Sequence, residues 1–375
     1  MSTNLTTETD CTAAVGCAVE ELDTPALLLD WNAAQRNLRR MADHFTDRRC
    51  KLRPHFKNHK CTTLARKQLE AGKCVGITCA KLDEAQILAD AGFDDVLIAN
   101  QVMGTRKVAR LAQVARQTRL AVAVDHVDQA RQISQAADAA DVTIGALVEV
   151  DTGMGRCGVM PAPANAALEL ARLVNELPGV EFRGLQSFEG HVVYFNDYEE
   201  RAAATRQCQQ LALDTRQMIE DAGLHVPIIS GGSTSTYTII ADLPDPGIDE
   251  LQCGTYVTMD WRYAQLTPEF EVALSVLGRV ISARRGEAVL DMGVKGAGAE
   301  FGDPIIRDHP DVVLPFFKSE EHCVLHNTPN WRVGDVVHLI PSHACTTCNL
   351  HPRIYVHEDG KVADVWPIEA SGRMT

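Results

Sequence analysis

The chain has 375 residues, a hydrophobic fraction of 45% and a formal net charge of −14 from 36 basic and 50 acidic residues. This length suggests two or three domains with a large apolar core, and the acidic balance without a basic tract argues against nucleic-acid binding. No apolar run reaches the roughly 18 residues of a membrane helix and no basic residue precedes Arg36, so we expect a cytoplasmic protein without a signal segment, whose cysteines are mostly reduced and buried.

The predicted elements follow a Thr-rich, polar N-terminal stretch, Met1–Cys17, which we expect to be loosely structured. From about residue 25 to 260, short apolar runs alternate with helix-like segments, a pattern that indicates an α/β fold with a parallel sheet. The apolar runs are Ala26–Asp30, Lys51–His55, Gly76–Cys79, Asp95–Asn100, Leu120–Asp125, Ile144–Asp151, Phe182–Ser187, Val226–Ser230 and Glu250–Cys253. The helical segments include Ala33–Phe45, Leu82–Ala91, Asp128–Ala137, Ala164–Leu177 and Glu199–Ala222. Eight or more repeats favour a closed (β/α)8 barrel, so the first of these runs is expected to pair elsewhere.

After about residue 268 the pattern changes to strands with weak helical periodicity. The strand candidates are Glu271–Ser282, Ala288–Asp291, Asp335–Ile340 and Arg353–Val356. Asp359-Gly360 predicts a hairpin turn, because both residue types tolerate a positive φ. We therefore predict three parts: an N-terminal segment (1–24) that joins the β-domain, a cofactor-binding barrel (25–267) and a mostly β C-terminal domain (268–375).

A basic stretch, Lys51–Lys60, follows the second predicted strand and contains His55, Lys57 and His59. A lysine at the end of a strand can be held rigidly and partly desolvated, and its neutral amine can then attack an aldehyde. Lys57 is therefore a candidate for binding pyridoxal phosphate as a Schiff base. A basic surface turn is the alternative interpretation of this stretch.

Polar motifs follow the C-terminal ends of several other predicted strands, which is the face where barrel enzymes carry their chemistry. One is Asp151–Cys157, whose Arg156 could bind a phenolic oxygen of the cofactor or a substrate carboxylate. A salt bridge to Asp151 is the alternative role for this guanidinium. The convergence of such motifs predicts an enzyme.

Two Gly-rich tracts with hydroxyl side chains follow adjacent strands and can together cradle a phosphate group. Glycines let backbone N–H groups approach the oxygens, and the hydroxyls add donors. Either tract alone is equally typical of an ordinary turn, but two on adjacent barrel strands favour phosphate. Their residues are Gly231, Gly232, Ser233 and Thr234 in the first tract and Gly254, Thr255 and Tyr256 in the second.

A C-terminal motif contains four soft metal ligands, His343, Cys345, Cys348 and His351. All four could form a closed structural zinc site, since thiolate and imidazole suit zinc. Alternatively, His343 and Cys345 could form an open site that leaves positions for water or a substrate hydroxyl; they share a face if the segment is extended. Buried cysteines without a metal are the third interpretation.

With these motifs assembled, the chain resembles the D-threonine aldolase and D-serine dehydratase family of pyridoxal-phosphate enzymes, which have an alanine-racemase-like fold. The resemblance extends from about Thr24 to the C-terminus. The tracts that carry it are Thr24–Leu27, Arg53–Lys57, Val148–Gly158, Ser230–Thr234, Glu250–Tyr256, Met259-Asp260 and Pro341–Cys345.

The resemblance implies roles for individual residues. Lys57 would carry the cofactor, Arg156 would contact its ring oxygen, and His343 and Cys345 would bind a divalent metal (Zn, Mn or Mg) near the substrate hydroxyl. The resemblance also implies a β/α barrel plus β-domain, and a homodimer with its active site at the subunit interface. The phosphate would be held by Gly232, Ser233, Thr234, Gly254, Thr255 and Tyr256.

The chain departs from the family pattern at two places. Aldolases of the family tend to carry His-x-Asp at the metal, whereas His343-Ala-Cys345 is typical of the dehydratases, although the tracts around Arg156, Tyr256 and 349–351 are more similar to the aldolases. Family members also often have a histidine after the seventh strand, where this chain has Glu189. Either His191 substitutes for that histidine or the acid–base chemistry differs.

The predicted activity is retro-aldol cleavage of a D-β-hydroxy amino acid, of the D-threonine or D-3-hydroxyaspartate type, to glycine and an aldehyde. The metal would lower the pKa of the β-hydroxyl, and a base would remove its proton. Candidate bases are His55, His59, His191 or a hydroxide held by the metal.

Three other functions remain open from the residues. A D-serine or D-3-hydroxyaspartate-type dehydratase would use Lys57 to take the Cα proton and would form a 2-oxo acid and ammonia; Cys345 favours this reaction. A non-catalytic pyridoxal-phosphate carrier is disfavoured because such barrels lack the β-domain and the metal motif. A racemase is disfavoured because racemisation needs no Lewis acid at Cβ.

Overall fold

The computed structural model describes residues 14–244, 247–317 and 319–375. The prediction of a loose N-terminal stretch lies, up to residue 13, outside the described residues. The strands are β1 Ala26–Asp30, β2 Lys51–Leu52, β3 Ile77–Cys79, β4 Asp95–Gln101, β5 Arg119–Val124, β6 Ile144–Val150, β7 Val180–Ser187, β8 Ile228–Gly231, β9 Glu250–Leu251, β10 Leu274–Arg284, β11 Glu287–Leu290, β12 Ile305–Ile306, β13 Val313–Phe316, β14 Cys323–His326, β15 Val336–Ile340, β16 Arg353–Glu358 and β17 Lys361–Pro367.

Helices connect most of the early strands, and short 3-10 turns lie between some of them. The α-helices are α1 Trp31–His44, α2 Thr62–Glu70, α3 Leu82–Asp90, α4 Thr105–Val114, α5 Val127–Ala140, α6 Ala166–Glu176, α7 Tyr198–Asp221, α8 Tyr237–Ala241, α9 Trp261–Leu266 and α10 Ala344–Leu350. The predicted helices correspond to α1, α3, α5, α6 and α7 within a few residues, because their apolar periodicity is strong.

The described chain divides into two compact units, each discontinuous in sequence. The first, called the barrel unit, comprises Met41–Lys57, Leu64–Gly254 and Arg373–Thr375. The second, called the β unit, comprises the described residues up to Arg40, together with Asn58–Thr63 and Thr255–Gly372. The predicted domain boundaries at residues 24 and 267 stay a prediction.

The barrel unit contains an eight-stranded parallel sheet in the order β2-β9-β8-β7-β6-β5-β4-β3. Isolated parallel bridges, Leu52 with Cys74 and His55 with Thr78, join the two ends of this order and close the barrel. Every residue of β6 is buried, which explains why its sequence is a continuous apolar run rather than an alternating one. The prediction of a β/α barrel is therefore confirmed.

A buried ion-pair triad fixes the strand that precedes Lys57. The Arg53 guanidinium donates from Nε and Nη2 to both Glu250 carboxylate oxygens, at 2.7 and 2.9 Å, and from Nη1 to Asp95 at 2.6 Å. The Arg53 side chain is only 4% exposed. These bonds tie the end of β2 to β9 and β4, so the turn that carries Lys57 starts from a rigid point.

The β unit contains a nine-stranded, mostly antiparallel sheet, with β13-β14-β11-β10-β1-β16-β17 in order and β15 pairing with β10 and β12. The first predicted strand, β1, pairs here with β10 and β16, so its predicted exclusion from the barrel is confirmed. Asp359 and Gly360 have φ values of 49° and 78° and form the predicted hairpin turn between β16 and β17. The sequence analysis missed strands β12 to β14 and β17, and helix α10.

The described residues 14–22 pack on the β unit. Backbone N–H groups of Gly16 and Val19 donate to the carbonyls of Val362 and Gly360, and Leu22 packs into a cluster with Leu28. None of the cysteines in the described ranges forms a disulfide, and most of them are buried. None of the helices in those same ranges is long and apolar enough to cross a membrane.

Candidate active site

Two cationic side chains of the barrel unit converge on one aromatic ring. Lys57 lies in a 3-10 turn, Phe56–Asn58, directly after β2. Its Nζ is 5.5 Å from the ring centroid of Phe188, which follows β7, and the guanidinium carbon of Arg156 is 5.1 Å from the same centroid. The structure therefore brings the predicted Schiff-base lysine and the predicted arginine together, through a phenylalanine that the sequence analysis did not identify.

Arg156 is held by a buried carboxylate from β6. Its Nη2 lies 3.8 Å from Oε1 of Glu149, whose side chain is 5% exposed and also accepts a bond from Gln101. Burial raises the pKa of Glu149, although the Gln101 amide and the Arg156 charge act in the opposite direction. The Asp151 carboxylate instead accepts the N–H groups of Gly153 and Gly155, so the alternative salt bridge to Asp151 is not formed.

The first Gly-rich tract forms a largely buried loop at the end of β8. Gly232 has a φ of 74°, and a Cβ atom there would collide with the Leu251 side chain. A Cβ atom on Gly231 would collide with the backbone carbonyl of Ser187. Backbone therefore approaches backbone closely here, and the Ser233 hydroxyl lies 2.8 Å from that of Ser235. A Gly-rich loop with hydroxyl groups at a barrel strand end fits a phosphate group.

A buried carboxylate, Glu189, holds this loop in place through hydrogen bonds. It accepts hydrogen bonds from Thr236 Oγ1 at 2.7 Å, from Gln209 Nε2 at 2.9 Å and from the backbone of Gly232. Glu189 is 1% exposed, and burial raises its pKa although these hydrogen bonds counteract that shift. In the second tract, Gly254 belongs to the barrel unit, and Thr255 and Tyr256 belong to the β unit.

The three candidate histidines have different surroundings. The Nδ1 atoms of His55 and His59 accept backbone N–H groups two residues further on, at 3.4 and 3.2 Å. His191 lies in the 3-10 turn Gly190–Tyr194, with its ring 3.6 Å from the position of a Cβ on Gly153. Its Nε2 is 3.8 Å from Cys208 Sγ, and its buried Nδ1 has no hydrogen-bond partner among the described residues. His191 therefore packs against the loop that carries Arg156.

The predicted metal motif lies in the β unit, and its backbone differs from the expectation. Only His343 is extended: it is the N-cap of helix α10, and Cys345 lies in the first turn of that helix. The two side chains nevertheless meet through a hydrogen bond. Burial by itself lowers the pKa of His343, but Cys345 and Asp260 outweigh it and raise the pKa well above its usual value. An imidazole beside a thiol supplies two ligands that suit zinc or a similar divalent metal. Such a pair fits an open site, in which the other coordination positions are left for water or substrate.

Of the remaining two residues of the motif, Cys348 lies on the same helix as Cys345, and His351 bonds elsewhere. Burial raises the pKa of the Cys348 thiol well above its usual value, and His351 Nε2 bonds to the Gly296 carbonyl at 2.7 Å. No group of three or more His, Cys, Asp or Glu side chains in the described ranges is arranged to hold a metal. The closed four-ligand zinc site is therefore wrong.

Sequence reasoning assigned no role to several residues that the structure places around these sites. The sequence pointed to Asp260 only through the Met259-Asp260 tract. An aspartate directly before a helix is also a general N-cap signal, which could have identified it. Glu189 was noticed only as a departure from the family pattern. Phe188 and Asn58 carried no signal that distinguishes them from neighbouring residues.

Comparisons with known proteins agree with this architecture. Residues 29–261 match the family described as "Alanine racemase, N-terminal domain", and residues 273–357 match the one described as "Putative serine dehydratase domain". The chain is 38% identical to D-threonine aldolase of Arthrobacter sp., over 96% of both chains. It is 33% identical to 3-hydroxy-D-aspartate aldolase of Paracoccus denitrificans (strain Pd 1222), over 97% of this chain and 96% of that protein. It is 28% identical to D-threo-3-hydroxyaspartate dehydratase of Delftia sp. (strain HT23), over 87% and 92%.

Solved structures give the same result. D-threonine aldolase from Filomicrobium marinum superposes with a TM-score of 0.92 at 35% identity, over 96% of this chain and 99% of that one. A mutant of D-threo-3-hydroxyaspartate dehydratase described as being in the metal-free form superposes with a TM-score of 0.84 at 26% identity, over 94% and 98%. Likeness over nearly full length covers both the barrel and the β unit. The chain therefore belongs to the D-threonine aldolase and D-serine dehydratase family of pyridoxal-phosphate enzymes with the alanine-racemase-like fold.

Proposed function

We propose that this enzyme is a metal-assisted lyase that cleaves D-β-hydroxy amino acids, of the D-threonine or D-3-hydroxyaspartate type, to glycine and an aldehyde. The observation that carries the proposal is the convergence of Lys57 and Arg156 on Phe188, in a chain that aligns with aldolases over nearly its full length. This full-length likeness to enzymes also supports catalysis over a carrier role.

The barrel unit supplies the cofactor-binding groups. Pyridoxal phosphate, when bound, supplies an aldehyde for the Lys57 amine and a ring that accepts the electrons of a broken bond at Cα. Arg156 donates to the ring oxygen or to a substrate carboxylate, and Glu149 keeps the guanidinium in place. The loop from Gly231 to Thr234, together with Gly254, would hold the phosphate.

The cleavage requires removal of the proton from the β-hydroxyl oxygen. We assign this step to His191, because its ring lies against the Arg156 loop and its Nδ1 has no partner within the described chain. His343 and Cys345 would hold a divalent metal, which would supply Lewis-acid chemistry when bound. The existence of a metal-free form of a related dehydratase supports a metal in this family.

A dehydratase is the second candidate, and Cys345 favours it. A thiolate at this position is the feature that distinguishes the chain from family aldolases, and a related dehydratase aligns with most of this chain. In that reaction Lys57 would remove the Cα proton and the β-hydroxyl would leave, which gives a 2-oxo acid and ammonia. The two reactions share the same binding groups and differ in which bond at Cα breaks.

Product analysis distinguishes the two reactions. The purified protein, with pyridoxal phosphate and a divalent metal, is incubated with D-threonine, D-3-hydroxyaspartate and D-serine, and glycine is quantified against ammonia. Glycine with an aldehyde is expected. Ammonia with a 2-oxo acid would establish the dehydratase. The absence of both sets of products would contradict both lyase functions. A Lys57→Ala variant serves as the control and is expected to form neither product.

We further propose that the protein acts as a homodimer in the cytoplasm. The family resemblance supports the dimer, and scattered cysteines that form no disulfide among the described residues support a reducing compartment. Sedimentation velocity of the cofactor-loaded protein tests the dimer, and a monomer at micromolar concentration would contradict it.

A further inference from the structure

A short buried segment of the β unit, Thr258–Asp260, lies beside both proposed metal ligands. It connects the 3-10 turn Thr255–Val257 to helix α9, and all three of its residues are 0% exposed. Met259 has a φ of 52°, a left-handed conformation that a residue with a long side chain seldom adopts. Such a backbone persists only where the surroundings impose it, and it is frequent at functional sites.

Asp260 has three hydrogen-bond partners that fix its orientation. One carboxylate oxygen, Oδ1, accepts the Tyr263 N–H at 2.8 Å and caps helix α9. The other, Oδ2, accepts the Ala344 N–H at 2.9 Å and lies 3.1 Å from Nδ1 of His343. A carboxylate oxygen that already accepts a backbone N–H can only accept from the imidazole as well, so the proton of a neutral His343 lies on Nδ1. Its Nε2 then carries the lone pair that a metal needs.

Thr258 acts on the second ligand through Asn58. The Thr258 hydroxyl donates to Oδ1 of Asn58 at 2.8 Å, which fixes the orientation of the amide. The amide nitrogen, Nδ2, then donates to the Cys345 sulfur at 3.7 Å. Asn58 is 1% exposed, so the amide has little freedom to turn. A donor aimed at the sulfur holds the Cys345 side chain in one orientation.

We propose that Thr258 and Asp260 are the positioning residues of the metal site, an inference that rests on the proposed binding of a divalent metal by His343 and Cys345. Asp260 holds His343 in the Nδ1–H tautomer, and Thr258, through Asn58, directs a donor at Cys345. One segment with a left-handed residue at its centre thus orients both ligands before the metal arrives. The two ligands are themselves only two residues apart, but their orientation is decided by side chains that are distant in sequence.

Metal binding by an Asp260→Asn variant tests the first half of the proposal. Asparagine keeps the size and can still cap α9, but it has one acceptor oxygen in place of two. If that oxygen caps α9, the amide nitrogen faces His343 and favours the tautomer whose proton blocks Nε2. We expect Co²⁺ and Zn²⁺ to bind about 10- to 100-fold more weakly to the cofactor-loaded, metal-stripped variant, measured by competition with a chromophoric chelator.

A matched control separates positioning from helix capping. Asp197 caps helix α7 by accepting the Glu200 N–H at 2.9 Å and has no contact with the metal motif. Asp197→Asn removes the same charge from the same kind of cap and is expected to leave Co²⁺ affinity unchanged. The thermal unfolding of both variants is compared, so that a general loss of stability is recognised.

Thr258→Val tests the role of Thr258 in directing the Asn58 amide at Cys345. This variant keeps the proposal testable if Asp260→Asn fails to fold. Valine preserves the shape of threonine but releases the Asn58 amide. We expect weaker Co²⁺ binding and a shifted sulfur-to-cobalt charge-transfer absorption, because the donor to Cys345 is no longer fixed. In the wild-type apoprotein, ¹⁵N NMR of the imidazole is expected to show the proton of neutral His343 on Nδ1.

The outcomes separate this inference from the function on which it rests. If the wild type does not bind Co²⁺, or if His343→Ala binds it equally well, both the metal site and the positioning role are wrong. If His343→Ala loses Co²⁺ while Asp260→Asn and Thr258→Val retain wild-type affinity, only the positioning role is overturned. A neutral His343 that carries its proton on Nε2 in the wild type would likewise overturn the role of Asp260.

Discussion

At the scale of single residues, the chemistry depends on which nitrogen and sulfur atoms are kept available. His191 and His343 keep a ring nitrogen available in two different ways. The first has a buried Nδ1 without a partner in the described chain, and the second has Nδ1 bound to a carboxylate. A group that transfers a proton needs an unoccupied nitrogen, whereas a metal ligand needs one nitrogen fixed so that the other points correctly.

The assignment of the base predicts an asymmetry among three histidine variants. His191→Asn is expected to lower kcat by about 10²- to 10⁴-fold, because it removes the group that accepts the β-hydroxyl proton. The cofactor absorbance of this variant should remain that of the wild type, because Lys57 is unchanged. Steady-state kinetics with D-threonine is the measurement, with His55→Asn and His59→Asn alongside. A larger loss in either of those variants would transfer the role of base away from His191.

The ligand assignment predicts a change in metal preference. Cys345→Asp replaces a soft thiolate by a hard carboxylate, so the affinity for Zn²⁺ should fall relative to that for Mn²⁺. Competition titrations of both metals measure the ratio. Cys348→Ser is the control, because Cys348 is buried in the same helix. The metal preference of this variant should match that of the wild type. An unchanged Zn²⁺ to Mn²⁺ ratio in Cys345→Asp would exclude the thiolate as a ligand.

At the scale of elements, strand ends and loops are held by buried polar contacts. The Arg53 triad fixes the end of β2, and Glu189 fixes the loop after β8. Both carboxylate systems are buried, so each depends on complete pairing. Removal of one partner leaves a charge or a polar group without compensation in a poorly solvated place.

The triad predicts a large loss of stability from a single substitution. Arg53→Leu leaves the buried Glu250 without its guanidinium, while Asp95 keeps only its contact with Arg119 at 3.5 Å, and we expect the free energy of unfolding to fall by about 3–5 kcal/mol. Arg36→Leu is the control, because its pair with Glu271 is exposed and should contribute little. Urea titrations of the apoproteins give both values. Equal effects of the two substitutions would show that burial of the triad does not matter.

The loop after β8 predicts a separable effect on cofactor binding. Thr236→Val removes the 2.7 Å bond to Glu189 and should weaken the binding of pyridoxal phosphate about tenfold, the equivalent of about 1.4 kcal/mol. Thr118→Val also removes a buried bond, the one to the Phe93 carbonyl, and should leave cofactor affinity unchanged. Fluorescence titration of the apoproteins measures this. A similar loss in both variants would mean that stability, rather than loop position, determines affinity.

At the scale of the whole molecule, buried histidines make stability depend on pH. Burial, followed by the charges of Arg307 and His357, lowers the pKa of His338 to about 4. The unfolded chain takes up this proton near pH 6.5, so the unfolded state binds more protons between pH 6.5 and 4. The contribution of the neutral His338 to stability is therefore fully present above pH 6.5. This contribution, at most about 3 kcal/mol, is lost as the pH falls toward 4.

Replacement of His338 should flatten this pH dependence. His338→Gln is expected to show a smaller decrease in the free energy of unfolding between pH 6.5 and 4 than the wild type. His225→Gln, at an exposed position, should retain the wild-type slope. The slope is obtained from urea titrations at several pH values. A variant slope equal to that of the wild type would assign the acid sensitivity to other groups.

The strand and helix pattern was accessible from the sequence because it depends on local periodicity. Alternating apolar runs predicted the barrel, and one run in excess predicted that β1 pairs elsewhere, as it does with β10 and β16. Short strands such as β12 and the turn of helix α10 were missed, because two to seven residues carry too little periodic signal. The helical turn at Cys345 was missed for the same reason, whereas the backbone of His343 itself is extended.

By itself, the sequence determined the family, the barrel and the reactive residue types, because motif spacing and apolar periodicity are properties of neighbouring residues. The tertiary structure decided which side chains face one another: Asp260 with His343 across 83 positions, and Glu189 with Thr236 across 47. It also replaced Asp151 by Glu149 as the partner of Arg156. Such contacts follow from strand order, register and burial, and no local pattern in the chain encodes them.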